Sequence, residues 1–230
     1  MANRVKSLCS KIFNFACETA VIGTNPVEQI KTFKSSPSFH RALSIEEARR
    51  LYKHLDHEDI AQASALRIML LTGQLPSKVL NMKWSDIQLD SWFIEGKKEY
   101  SVHLSPAAIE ILKRLKSSNH IYIFEGKTGK PISHLRHLCK RINIDLTLDA
   151  IWRPIDLRKT VEVEMKALGI GIDVIAKVLN QKTLLKRLAN NSENLEMKAQ
   201  KALNKWAMHL LPKEPRKIKD NSKVIPLFPK

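Results

Sequence analysis

The sequence predicts a mainly α-helical protein with a small antiparallel β-hairpin or sheet. Three observations carry that expectation. Apolar residues recur at helical spacing through most of the chain, strand-like patterning is confined to residues 92–104 and 121–124, and several helix-sized segments begin or end on a capping signal. The 230 residues hold 39 Lys+Arg against 23 Asp+Glu, a formal net charge of +16. So basic a balance points to a polyanionic partner, the plainer reading being a merely basic surface. With 43% hydrophobic and 27% charged residues, global disorder is excluded. No apolar run approaches the ~18 residues a bilayer span needs, and Met1-Ala-Asn-Arg4 lacks a signal-peptide pattern. No membrane partner is expected, and the cytoplasm is the default location. Cys9, Cys17 and Cys139 are odd in number and lack C-x-x-C spacing, so neither a disulfide framework nor a cysteine zinc site is supported. Cys9 and Cys17 are expected as core thiols.

The first helix is expected over residues 5–20, with Val5, Leu8, Ile12, Phe15 and Ala16 on one face. Pro26 suits the first turn of a short helix carrying Val27 and Ile30. Residues 32–42 have no helical period and look like a linker, with a domain boundary near Arg41. Ser44 and Glu47 then form a capping box for a helix reaching His54, and Ala48, Leu51 and Leu55 make its buried stripe. The next helix runs from Ile60 to Thr72 and stops at Gly73, and Pro76 starts a short one through Asn81. Residues 92–94 and 101–104 flank a Glu-Gly-Lys-Lys-Glu-Tyr turn and read as a hairpin, with residues 121–124 as a further sheet segment. Helices follow from Ser105-Pro106 to Leu115, from Ser133 to Ile142, from Asp156 to Leu168, from Ile172 to Leu179 and from Asn191 to Leu211. Residues 212–230 hold four prolines, six basic and two acidic residues, and read as a flexible basic tail.

This order, with Thr72-Gly73, Trp84-Ser85-Asp86-Ile87, Leu104-Ser105-Pro106, Gly129-Lys130-Pro131 and Asp156-Leu157-Arg158-Lys159-Thr160, resembles the catalytic domain of the phage integrases, the tyrosine recombinases. The resemblance implies a tyrosine-recombinase catalytic-domain-like fold over residues 43–211. It also implies that residues 1–42 are a remnant of the core-binding helical domain plus a linker.

Chemistry in that family joins a tyrosine phenolate to a DNA phosphate while two arginines and a histidine serve the transition state. Guanidinium suits the phosphoryl oxygens because its planar fork binds two at once. Matching the motifs puts Leu75 at the first arginine, Lys78 at the acid beyond it, Ile155 at the histidine and Gln181 at the later histidine or tryptophan. Asn190 falls near the nucleophile's place, and residues 123–230 contain no tyrosine. Arg158 remains as the second phosphate clamp, and Lys97 or Lys98 could be the family's hairpin lysine or simply solvated turn residues. Residues 127–159 carry eight basic and three acidic residues. The family's DNA-facing helix lies here, so Arg136, His137, Lys140, Arg141 and Lys159 are candidate DNA contacts, set against a merely solvated helix face. His103, His134 and His137 lack metal-ligand spacing, and no metal or cofactor is expected. Trp84, Trp92, Trp152 and Trp206 are expected as core anchors, as are Met165, Leu168, Ile172, Ile175 and Leu179.

The leading expectation is therefore a DNA-binding integrase-like protein of a mobile element, catalytically inactive and regulatory or accessory to recombination, with double-stranded DNA as partner. One alternative is an active recombinase with a relocated nucleophile such as Tyr100 or a serine. Another is an interaction module that docks through its final helix onto an intact recombinase or a second copy.

Overall fold

The computed structural model describes residues 2–32, 41–94, 100–115, 120–126, 129–133, 135–148, 151–187 and 194–212. Lys97, Lys98, His134, Asn190, most of the expected linker and the tail beyond Pro212 lie outside them. The chain divides into two compact units, residues 1–39 and 40–230.

In the first unit α1 (Ala2–Glu18) is followed by turns. The buried Asn25 ties them to the helix, donating to Asn14 Oδ1 at 2.6 Å and Ser10 Oγ at 3.1 Å, while its own Oδ1 accepts from the Val27 N–H at 2.9 Å. The short helix expected after Pro26 is replaced by single i→i+3 bonds, Glu28 N–H to Asn25 O and Ile30 N–H to Val27 O. Val5, Leu8, Ile12 and Phe15 do share a face, and that face is exposed. Cys9 and Cys17 are half-buried rather than core thiols, and Cys139 is the buried one.

The second unit opens with α2 (Ile45–His54), where the Ser44/Glu47 capping box forms as expected: Ser44 Oγ accepts from the Glu47 N–H and Glu47 Oε2 from the Ser44 N–H. A 3₁₀ turn over Leu55–His57 leads to α3 (Ile60–Thr72), capped by Asp59 and buried over most of its length. Such all-round burial makes α3 the central helix of the core. Gly73 ends it at φ +66°, and a Cβ there would meet Leu179 Cδ2 at 2.6 Å, so both the left-handed backbone and the close approach call for glycine. Next come α4 (Pro76–Leu80) and a three-stranded antiparallel sheet of β1 (Ile87–Gln88), β2 (Ser91–Ile94) and β3 (Tyr100–His103), in that order. Trp92 pairs with Val102 and both are buried, while Phe93 faces solvent, the period of two that a half-buried strand requires.

The remaining helices are α5 (Pro106–Leu115), α6 (Arg136–Asp145), α7 (Pro154–Ala167), α8 (Ile172–Val178), α9 (Lys182–Arg187) and α10 (Leu195–Leu210). Residues 121–124 are not a strand. Among the described residues they make one bridge, Lys83 to Tyr122, and the next residue, Glu125, bridges to Pro131. Nor does α6 start at Ser133; its N-cap is Leu135. Among the expected core anchors Trp92, Trp152 and Trp206 are fully buried, whereas Trp84 only packs against the core and Ile172 is 56% exposed. α10 lies on α3, α7 and α8, and the Trp206 Nε1–H reaches the Leu70 carbonyl at 2.9 Å. No helix among the described residues is long and apolar enough to cross a membrane.

Candidate functional site

Around Arg158, the C-terminal end of α3, the start of β3, α7 and the end of α8 converge. Arg158 is half-buried, and its guanidinium donates to the Gly73 carbonyl at 3.0 Å and to the Leu179 carbonyl. Both acceptors are helix-end carbonyls without an intrahelical partner, so one cation satisfies two termini. Beside it the buried Gln74 donates from Nε2 to Val178 O at 2.7 Å and to Thr72 O at 3.2 Å, and accepts at Oε1 from the Tyr100 hydroxyl at 3.1 Å. Burial pushes the Tyr100 phenol above its ordinary pKa, while a hydrogen bond with the Asn180 side chain and the Arg158 charge pull it down. Burial likewise lowers the Arg158 pKa, partly offset by Tyr100 and Glu162. Neither Gln74 nor this association is visible in the sequence.

The other residues of the box serve the fold. Asp156 is buried and caps α7, its Oδ2 accepting from the Arg153 N–H at 2.9 Å. Leu157 enters the core, and Thr160 Oγ1 accepts from the Leu43 N–H at 2.9 Å while donating to Asp156 O. Lys159 pairs with Glu162 at 3.1 Å, and Glu162 also holds Lys166, so the Glu162 carboxyl stays below its usual range despite partial burial. Leu75 is exposed at the N-cap of α4, Ile155 is half-buried in the first turn of α7, and Gln181 half-buried beyond α8. None of the three side chains can carry a proton or a charge at neutral pH.

On α6 the apolar Leu138, Cys139 and Ile142 turn inward and Arg136, His137, Lys140 and Arg141 are exposed. Arg141 is bound to Glu58, which leaves Arg136, His137 and Lys140 as the outward face. Arg136 and Lys140 also rim a cavity of about 560 Å³ whose floor includes Leu80, Cys139 and Trp152. Burial pushes the Cys139 thiol up to about 12, so it stays protonated there.

A buried central helix, a small antiparallel sheet, and a last helix folded back on that core define the catalytic-domain fold of a tyrosine recombinase. Solved structures agree. A lambda integrase (75–356) dimer bound to a COC′ core site superposes with TM-score 0.60 at 21% identity over 77% of this chain and 70% of that one. A lambda integrase tetramer bound to a Holliday junction gives 0.62 at 20% over 77% and 57%, and the integrase of mycobacterium phage Brujita 0.59 at 14% over 93% and 73%. No curated protein sequence matches the chain. The profile of the phage integrase family matches residues 41–208, and the chain belongs to that family.

Proposed function

We propose that this chain is a DNA-binding member of the phage integrase family that neither cleaves nor religates DNA and acts as an accessory or regulatory protein of a mobile element. One observation carries the reading: the arginine retained from the family's phosphate clamp has its guanidinium engaged by the Gly73 and Leu179 carbonyls. A clamp that works on phosphate must offer that fork to the scissile group. Leu75, Ile155 and Gln181 supply no replacement, and the three tyrosines all precede residue 123. Binding is supported by the net charge of +16 and the outward face of α6, and by lambda integrase and the Tn1549 transposon integrase having been solved with DNA. α10 packs on its own chain through Ala199, Leu203, Trp206 and Leu210, which favours the DNA reading over docking through that helix.

The test has two arms. In gel shifts on duplex DNA, log K falls against log salt with a slope of roughly −4 to −5 if about five phosphates are neutralised. Incubation with nicked suicide duplexes followed by denaturing electrophoresis yields no covalent adduct. Salt-insensitive affinity would remove the electrostatic account. An adduct mapped to any residue, Tyr100 included, would restore the enzyme.

A further inference from the structure

Away from that site, the end of α2 and the end of α6 bring together His54, Glu58 and Asp145, whose ligand atoms all lie within 4.8 Å of one another. We propose that these three side chains form a binding site for a divalent transition-metal ion of the zinc type, bridging α2 to α6.

The spacing carries the argument. His54 Nε2 lies 3.5 Å from Asp145 Oδ2 and 3.7 Å from Glu58 Oε1. An imidazole N–H bonded to a carboxylate sits nearer, at about 2.7–3.2 Å. Bonds of about 2.0–2.2 Å to a tetrahedral zinc instead place neighbouring ligand atoms roughly 3.3–3.6 Å apart, close to what is seen. His54 is thus spaced from both carboxylates about as a shared ion requires, and the two carboxylate oxygens lie within 4.8 Å of each other. Glu58 reaches His54 because the 3₁₀ turn over Leu55–His57 folds the chain back at the end of α2.

Two surrounding contacts hold the frame. Arg141 takes the other oxygen of Glu58, which orients Oε1 toward His54, in the way outer hydrogen bonds orient metal-bound carboxylates. Arg50 donates to the Leu146 carbonyl at 2.6 Å, pinning α2 to the residue next to Asp145. The Glu58 side chain is only 7% exposed and that of Asp145 42%, so the cluster has a sheltered side and an open side. Three protein ligands with a fourth position open to water is a familiar zinc arrangement. The imidazole tells against magnesium and calcium, which take oxygen ligands. Such an ion would fasten the helix bearing Arg136 and Lys140 to α2, whether or not that helix meets DNA.

The test uses the full chain after chelator treatment. Isothermal titration with Zn²⁺ and the visible absorption of Co²⁺ are each measured for wild type, His54→Ala and Asp145→Asn. Wild type is expected to bind one ion at this site, show the intense bands of tetrahedral Co²⁺ and melt at higher temperature with Zn²⁺. Each variant should bind at least roughly tenfold more weakly and lose both the bands and the thermal shift. Asp145 is exposed enough that Asp145→Asn tests the site even where His54→Ala does not fold. Equal Zn²⁺ affinity in wild type and Asp145→Asn, absence of tetrahedral Co²⁺ bands, or displacement of Zn²⁺ by equimolar Mg²⁺ or Ca²⁺ would each overturn the proposal.

Discussion

Arg158 stands between two demands, because the guanidinium that could meet a phosphate also closes the carbonyl ends of α3 and α8. Were it a freely exposed surface arginine, Arg158→Ala would change stability by no more than about 0.5 kcal/mol. Half-buried and doubly bonded, its loss leaves Gly73 O and Leu179 O without their donor and is expected to cost about 1–3 kcal/mol. Arg158→Lys recovers only part of this, since one ammonium cannot reproduce the fork. Tyr100→Phe tests the neighbouring link: it removes the donor to the buried Gln74 Oε1 and should cost about 1 kcal/mol. Urea denaturation of the three variants checks both figures. An unshifted midpoint in Arg158→Ala would mean that the carbonyls do not depend on the guanidinium, and would return the arginine to phosphate.

At the level of elements, α6 divides its charges between the fold and the surface. Arg141 is committed to Glu58, while Arg136 and Lys140 remain on the outward face. The double variant Arg136→Ala/Lys140→Ala should therefore flatten the salt dependence of DNA binding by about two units of slope and move stability by no more than about 0.5 kcal/mol. Salt-titrated gel shifts with a thermal melt measure both, and an unchanged slope would place the DNA surface off this helix. What could be read from the chain alone follows the range of each signal. The Ser44/Glu47 box, the Thr72-Gly73 stop and the 92–104 hairpin rest on neighbours within a few residues, and all form. Among the described residues β1 pairs with β2 alone, and residues 121–124 look like a strand but bridge to Lys83 alone. The expectation at Leu75 and Ile155 comes from motif order alone, since Thr72-Gly73 and Asp156-Leu157-Arg158 stand beside those positions. The joining of Gln74, Tyr100 and Arg158 was not legible, since it is created by the packing of α7 and α8 against the end of α3.

For the whole molecule, charge and chemistry come apart. A net charge of +16 favours polyanions independently of any particular side chain, whereas strand cleavage needs several groups acting on one transition state. Restoring one of them should then restore binding energy without restoring reaction. Leu75 offers the cleanest case, because it is exposed at the N-cap of α4, where an arginine fits without disturbing the core. Leu75→Arg is expected to tighten duplex binding and steepen the salt slope by about one unit through one added phosphate contact. It is expected to form no adduct on suicide duplexes. A phosphoryl-stabilising donor typically gives 10²–10³-fold in rate, but only to an enzyme that also has a nucleophile and an acid. Ile155 still provides no proton, and no tyrosine follows residue 122. Gel shifts and denaturing electrophoresis on the same preparation decide the matter. A covalent product from Leu75→Arg alone would show that the remaining machinery is intact and that one side chain had silenced it.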